Sequence, residues 1–134
     1  MSGSHAVRTR GVILSLILDA ALVVVFAIIG RASHQEGILG EGGLGLLTTT
    51  WPFLVGLGIG WAASLAWRRP LAVLRTGIPV WAVTVAGGML LRAISGQGTA
   101  VAFIVVASVT LLAFLVGWRA IAAIVPTVDR RGGR

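Results

Sequence analysis

The chain contains no cysteine, no lysine and no tyrosine. Without cysteine there are no disulfides, no thiol nucleophile and no thiolate metal site. Cysteine usage therefore gives no redox-compartment signal. Without lysine there is no Schiff-base chemistry. Charge of either sign is scarce: 11% of the 134 residues are charged, against about 25% in a soluble domain. Negative charge is scarcest, with four Asp and Glu against eleven basic residues, all of them Arg, for a net +7. So few charges cannot coat a water-facing surface. What fills the chain instead is apolar: 57% of residues are hydrophobic and the mean hydropathy is +0.98. One domain is expected at this length, and its hydrophobic residues must face lipid.

The apolar residues fall into four runs: Gly11 to Gly30, Thr48 to Trp67, roughly Thr76 to Ile94, and Thr99 to Trp118 with an extension towards Val125. Each is close to the ~20 residues that cross a ~30 Å hydrocarbon core. Length separates these runs from buried soluble helices, which periodicity alone does not. Membrane-barrel strands would be shorter and alternating. The fold class is therefore all-α: a single-domain, integral membrane four-helix bundle. Arg8 and Arg10 before an apolar run mimic a signal peptide. That run holds Asp19 and ends in Gly30-Arg31 without a small-x-small cleavage pattern, so a retained helix is expected. At the helix ends, Thr49 or Thr50 is expected to cap the second helix with Pro52 in its first turn. Pro70 is expected to stop that helix, Pro79 to start the third and Pro126 to end the fourth.

Arginine is unevenly distributed. Arg8 and Arg10 precede the first span, Arg68, Arg69 and Arg75 lie between the second and third, and Arg130, Arg131 and Arg134 follow the fourth, with Arg119 just inside it. The other side has only Arg31 and Arg92. Under the positive-inside rule both termini are cytoplasmic, and the Gly-rich loop from Ala32 to Leu47 is outside. The expected location is the cell membrane, spanned several times. Trp51, Trp67 and Trp118 fall near the predicted interfaces. Arg31-Ala32 and Gly37 recur as Arg92-Ala93 and Gly98 at the same spacing, and Trp67-Arg68 recurs as Trp118-Arg119. A parallel duplication of a two-helix hairpin explains this; so does chance matching in a small alphabet.

Asp19 is the outstanding polar residue, about 12 Å past Gly11 by helix rise. A carboxylate there costs about 2.5–3.5 kcal/mol on insertion scales. It is expected to face the bundle with Ser15, Val23 and Ala27, which share its face by i,i+4 spacing, and to be hydrogen-bonded, paired or protonated. Its role is either a proton or cation site or substrate counter-ion, or a structural pair or interhelical hydrogen bond. Arg119 is the nearest opposite charge in depth. It either pairs with Asp19 or, like Arg68, snorkels to water. Arg31 and Arg92, with His34, are candidates for an outer anion or headgroup site; the alternative is that both arginines serve helix C-termini. His34, Glu36 and Glu41 on a Gly-rich loop preorganise no metal site, and no metal is expected. Gly56, Gly60 and Ser64 form a small-residue face for helix packing, as do Gly87 and Gly88 in the third span. Trp61 and Trp81 read as core, and Thr84 as back-bonded to its own helix.

No nucleophile has a plausible base, no phosphate loop is present and no zinc signature appears. No enzyme activity and no cofactor are expected. The arginines sit beside apolar spans, so the partners expected are the lipid bilayer and a membrane protein, another copy or a different one, and not nucleic acid.

Asp19…Phe26…Gly30-Arg31-Ala32-Ser33-His34, Pro52-Phe53 with Gly56, Val80-Trp81…Gly87…Arg92, and Phe103…Gly117-Trp118-Arg119 stand in order along the chain. With these motifs the sequence resembles the prokaryotic membrane family known as domain of unknown function 3054. The resemblance implies a four-helix membrane protein and carries no activity. Its motif positions here are Asp19, Arg31, His34, Arg92, Trp118 and Arg119. The preferred functional expectation is a small transporter-like or ion- or proton-handling protein; the alternative is a non-transporting accessory or assembly subunit. The surroundings of Asp19 separate them. A water-accessible cleft favours transport, and a dry, satisfied pair favours a structural role.

Overall fold

The computed structural model describes residues 2–33, 37 and 39–125, without the side chains of Ser2 and Glu41. His34, Glu36, Pro126 and the arginines 130, 131 and 134 lie outside the described residues, so the readings placed on them stand as expectations only. The described chain is helical and has no strand. Helix α1 is Ser2–Ser33, α2 is Gly45–Ser64, α3 is Ile78–Ile94, α4 is Val101–Leu111 and α5 is Gly117–Ile124. A π-helical turn, Leu112–Val116, joins α4 to α5 in one continuous span, and another, Val73–Gly77, leads into α3. Four helices are long and apolar enough to cross a membrane: Gly3–Ser33, Gly45–Ser64, Val73–Ile94 and Val101–Ile124. At 32 residues, α1 is about 48 Å long and outreaches a hydrocarbon core. Its first two turns are exposed.

Helix α2 begins and ends differently from the sequence expectation. It starts at Gly45, with no side-chain cap. Thr48, Thr49 and Thr50 do not cap it; each hydroxyl donates back to the carbonyl four residues earlier, at 2.9, 3.1 and 2.6 Å. Pro52 is therefore buried within the helix rather than in its first turn. Its missing N–H leaves the Thr48 carbonyl without a helical donor. Gln97, in the α3–α4 turn, fills that vacancy with Nε2 at 3.0 Å. The helix ends before Pro70 is reached, because Leu65 adopts the left-handed conformation at φ 53. A short 3-10 turn, Ala66–Arg68, follows.

Helices α2 and α3 approach closely through small residues. A Cβ on Gly56 would lie 2.9 Å from the Thr84 carbonyl oxygen, one on Gly60 would lie 3.2 Å from that of Val80, and one on Gly88 would enter the Phe53 ring. Gly87 faces Gly56 at the same crossing. Backbone contact of this kind substitutes for the hydrophobic drive that lipid removes. Ser64 bonds back to the Gly60 carbonyl at 2.7 Å. Thr84 does not bond back: Oγ1 is buried with no partner among the described residues. The rest of the core is aromatic and aliphatic. Phe26 meets Phe53 edge-on at 5.2 Å, with Phe103 beside both. Val23, Leu57, Val80, Leu111 and Leu115 complete it. Outside, side chains such as Ile17, Val101, Val109 and Ile121 are exposed, as lipid-facing residues are.

Candidate intramembrane polar site

Two stripes of four-residue spacing build the polar centre. On α1, Ser15, Asp19, Val23 and Ala27 are all buried. On the last span, Ala107, Leu111, Leu115 and Arg119 are all buried. In a regular helix, residues four apart drift about 40° around the axis per step. The α1 stripe tolerates that drift without interruption, whereas the second stripe runs through the π turn Leu112–Val116, where the rotation per residue is lower. Arg119 points inward at the level of Asp19 on α5, the helix that follows this turn. Such turns recur at functional positions in helices.

Asp19 and Arg119 are each 0% exposed and form a two-pronged ion pair. Arg119 Nη1 donates to Asp19 Oδ1 at 3.0 Å and Nη2 donates to Oδ2 at 2.6 Å. Each carboxylate oxygen receives a second donor, Trp118 Nε1 on Oδ1 and Trp61 Nε1 on Oδ2, both at 2.8 Å. Four N–H groups and no acceptor surround the carboxyl group, the environment of an ionised carboxylate. The guanidinium is also held by backbone. Nε donates to the Pro70 carbonyl and Nη1 to the Leu115 carbonyl, both at 2.7 Å. Arg119 lies over the Trp118 ring, 4.6 Å from its centroid. The site thus ties together α1, α2, the α2–α3 connection and α5. Asp19 and Arg119 line none of the three cavities described for this chain.

Three members of this site carried other readings in the sequence. Trp61 read as core and Trp118 as an interfacial ring; both are half or fully buried and donate to Asp19. Pro70 read as a helix stop and acts through its carbonyl. The signal that finds the tryptophans is chemical: a buried indole N–H needs an acceptor, and Asp19 is the one acidic residue within the described spans. The snorkelling reading of Arg119 is incorrect, because its head is bonded to Asp19 instead of reaching water.

At the opposite end, Arg31 and Arg92 line one cavity of about 330 Å³ with Phe26 and Phe103. Their guanidinium groups bond to the turns that follow them, and Arg31 also reaches α2. Arg31 Nε donates to the Gly37 carbonyl at 3.2 Å and Nη1 to Thr49 Oγ1 at 3.0 Å. Arg92 Nε and Nη2 donate to the Gly98 carbonyl at 3.0 and 2.8 Å, and Nη1 donates to Gln97 Oε1 at 2.9 Å. Arg92 also lies over the Phe103 ring at 4.3 Å. Both arginines therefore reach a glycine carbonyl six residues on. No group of three or more His, Cys, Asp or Glu that could hold a metal occurs among the described residues.

Residues 16–122 match the family described as protein of unknown function (DUF3054), and the chain belongs to that family. No curated protein and no solved structure matches it.

Proposed function

For this DUF3054 protein we propose a non-transporting role, as an accessory or assembly subunit in the cell membrane. One observation carries the reading: the Asp19 carboxylate is 0% exposed and its four hydrogen bonds are all made by the protein itself. A carrier of protons or cations must exchange its ligand with water. Here both oxygens are filled and the charge is already compensated by Arg119. The pair behaves as a fastener between helices, not as a carrier site. The transporter-like reading preferred from sequence needed an open Asp19, and this geometry gives it no support.

The test is flux measured with the purified full chain in proteoliposomes loaded with a pH-sensitive dye. Proton movement should equal that of empty vesicles, and Asp19→Asn should leave it there. Flux that depends on Asp19 overturns the proposal. A second arm extracts the protein in native lipid and measures its mass. The accessory role requires a larger complex of fixed stoichiometry; a lone chain that conducts rules it out.

The same proposal includes orientation. Arg8, Arg10, Arg68, Arg69 and Arg75 are exposed, and Arg8 and Arg68 border one cavity. The positive-inside rule assigns that end to the cytoplasm, with both termini. Reporter fusions at Arg75 should read cytoplasmic and one near Gly42 outside; mixed insertion sinks this. The matching Arg-to-Gly closures of Arg31 and Arg92 support a duplicated hairpin, whereas Trp67-Arg68 and Trp118-Arg119 do not superpose in role.

A further inference from the structure

Between α2 and α3 the chain carries Arg68, Arg69 and Arg75 and no acidic residue. All three line a single cavity of about 320 Å³, with Ser64 and Thr76. Arg68 also borders a second cavity of about 460 Å³, where Arg8 stands beside Leu14, Leu18, Leu71 and Trp118. No described residue accepts a hydrogen bond or an ion pair from these four guanidinium groups. The backbone that presents them is nonetheless fixed. Thr76 Oγ1 donates to the Arg69 carbonyl at 2.6 Å, Arg119 Nε takes the Pro70 carbonyl, and Leu65 turns the chain at φ 53.

We infer that this end binds an anionic phospholipid. Its phosphate sits among Arg68, Arg69 and Arg75, and an acyl chain lies along the Leu14, Leu18 and Leu71 groove beside Trp118. Guanidinium groups pair with phosphate oxygens through two parallel N–H bonds. Basic pockets between spanning helices capture phospholipid headgroups for this reason. The paired arrangement selects the ligand. The first cavity gathers three arginines around Leu65, and the second adds a longer apolar wall of Leu14, Leu18 and Leu71 beside Trp118. A zwitterionic lipid carries its own cation and gains less from four arginines. The fixed backbone lowers the ordering cost of binding. The inference requires only that the chain lie in a bilayer and holds for either orientation and for either functional reading.

The experiment is lipid titration of the full chain in neutral detergent, followed by native mass spectrometry, with phosphatidylglycerol, phosphatidylcholine and inorganic phosphate as probes. Phosphatidylglycerol should stay bound at one per chain while phosphatidylcholine does not. Arg68→Ala should weaken it about fivefold, the share of one arginine near an anionic surface. Arg10→Ala, exposed and lining neither cavity, should change nothing. Leu14→Trp, which fills the groove, should weaken the lipid and leave phosphate unaffected. Equal binding of phosphatidylcholine, or equal weakening by Arg10→Ala, shows nonspecific attraction and overturns the site. Phosphate that binds as tightly as the lipid shows a free-anion site and overturns the lipid assignment.

Discussion

Trp67-Arg68 and Trp118-Arg119 are the same dipeptide near the ends of two spans, yet one is exposed and the other is built into the interior of the bundle. Trp67 is 43% exposed and Arg119 is 0% exposed. The difference lies in the backbone before each pair. Helix α2 ends at Ser64, and the left-handed Leu65 throws Trp67-Arg68 into a 3-10 turn outside the helix. The last span continues through a π turn into α5, so Trp118 and Arg119 keep a helical phase aimed at Asp19. A charged side chain in a spanning protein is therefore expensive or free according to the turn that precedes it. Sequence context of one or two residues does not decide between these outcomes.

The sharpest way to break this comparison is the same substitution at both arginines. Arg119→Leu leaves Asp19 buried and unpaired and should cost about 3–5 kcal/mol of stability, read from unfolding in neutral detergent. A loss much below that range would mean that water reaches Asp19. Trp118→Phe removes one donor from a charged acceptor and should cost about 1.5–3 kcal/mol, whereas Trp67→Phe should be silent in the same assay. Asp19→Leu combined with Arg119→Met should recover most of the loss and lie within about 1 kcal/mol of the parent or above it, because a well-packed apolar replacement removes both desolvation costs. A double variant as unstable as Arg119→Leu alone would show that the tryptophans and the Pro70 carbonyl, not the charge pair, hold the centre. Smallest of all, Arg68→Leu should shift stability by no more than about 0.5 kcal/mol, as for an exposed residue without partners. An effect comparable to that at Arg119 would erase the distinction between the two ends.

Much of the fold was legible because lipid imposes simple rules. Run length marked the spans, and α1 and α3 end near the expected residues. The i,i+4 companions of Asp19 could be named because helical spacing is fixed. Gly56, Gly60 and Gly88 stood out because a small face has few uses in lipid. The start of α2 was misplaced for a reason that lies elsewhere in the chain, and its end because Leu65 turns left-handed. Proline inside a helix is normally penalised by a lost hydrogen bond, and the compensating donor, Gln97, is distant in sequence. Arg31 and Arg92 read either as an anion site or as helix-end cations, since both uses need the same residue at the same place. Their bonds to Gly37 and Gly98 are local, and the cavity that both arginines line forms only when α1, α3 and the last span pack together.

The sequence by itself determined that four segments would be long and apolar enough to cross a membrane, that arginine would crowd one end, and that Asp19 would need a partner. Each follows from transfer free energies, which act residue by residue. Only the tertiary structure decided which partner it would be. That choice depends on α5 following the last span through a π turn and packing against α1 and the α2–α3 connection. It depends equally on two indole N–H groups and one proline carbonyl that meet only when four separate segments pack together.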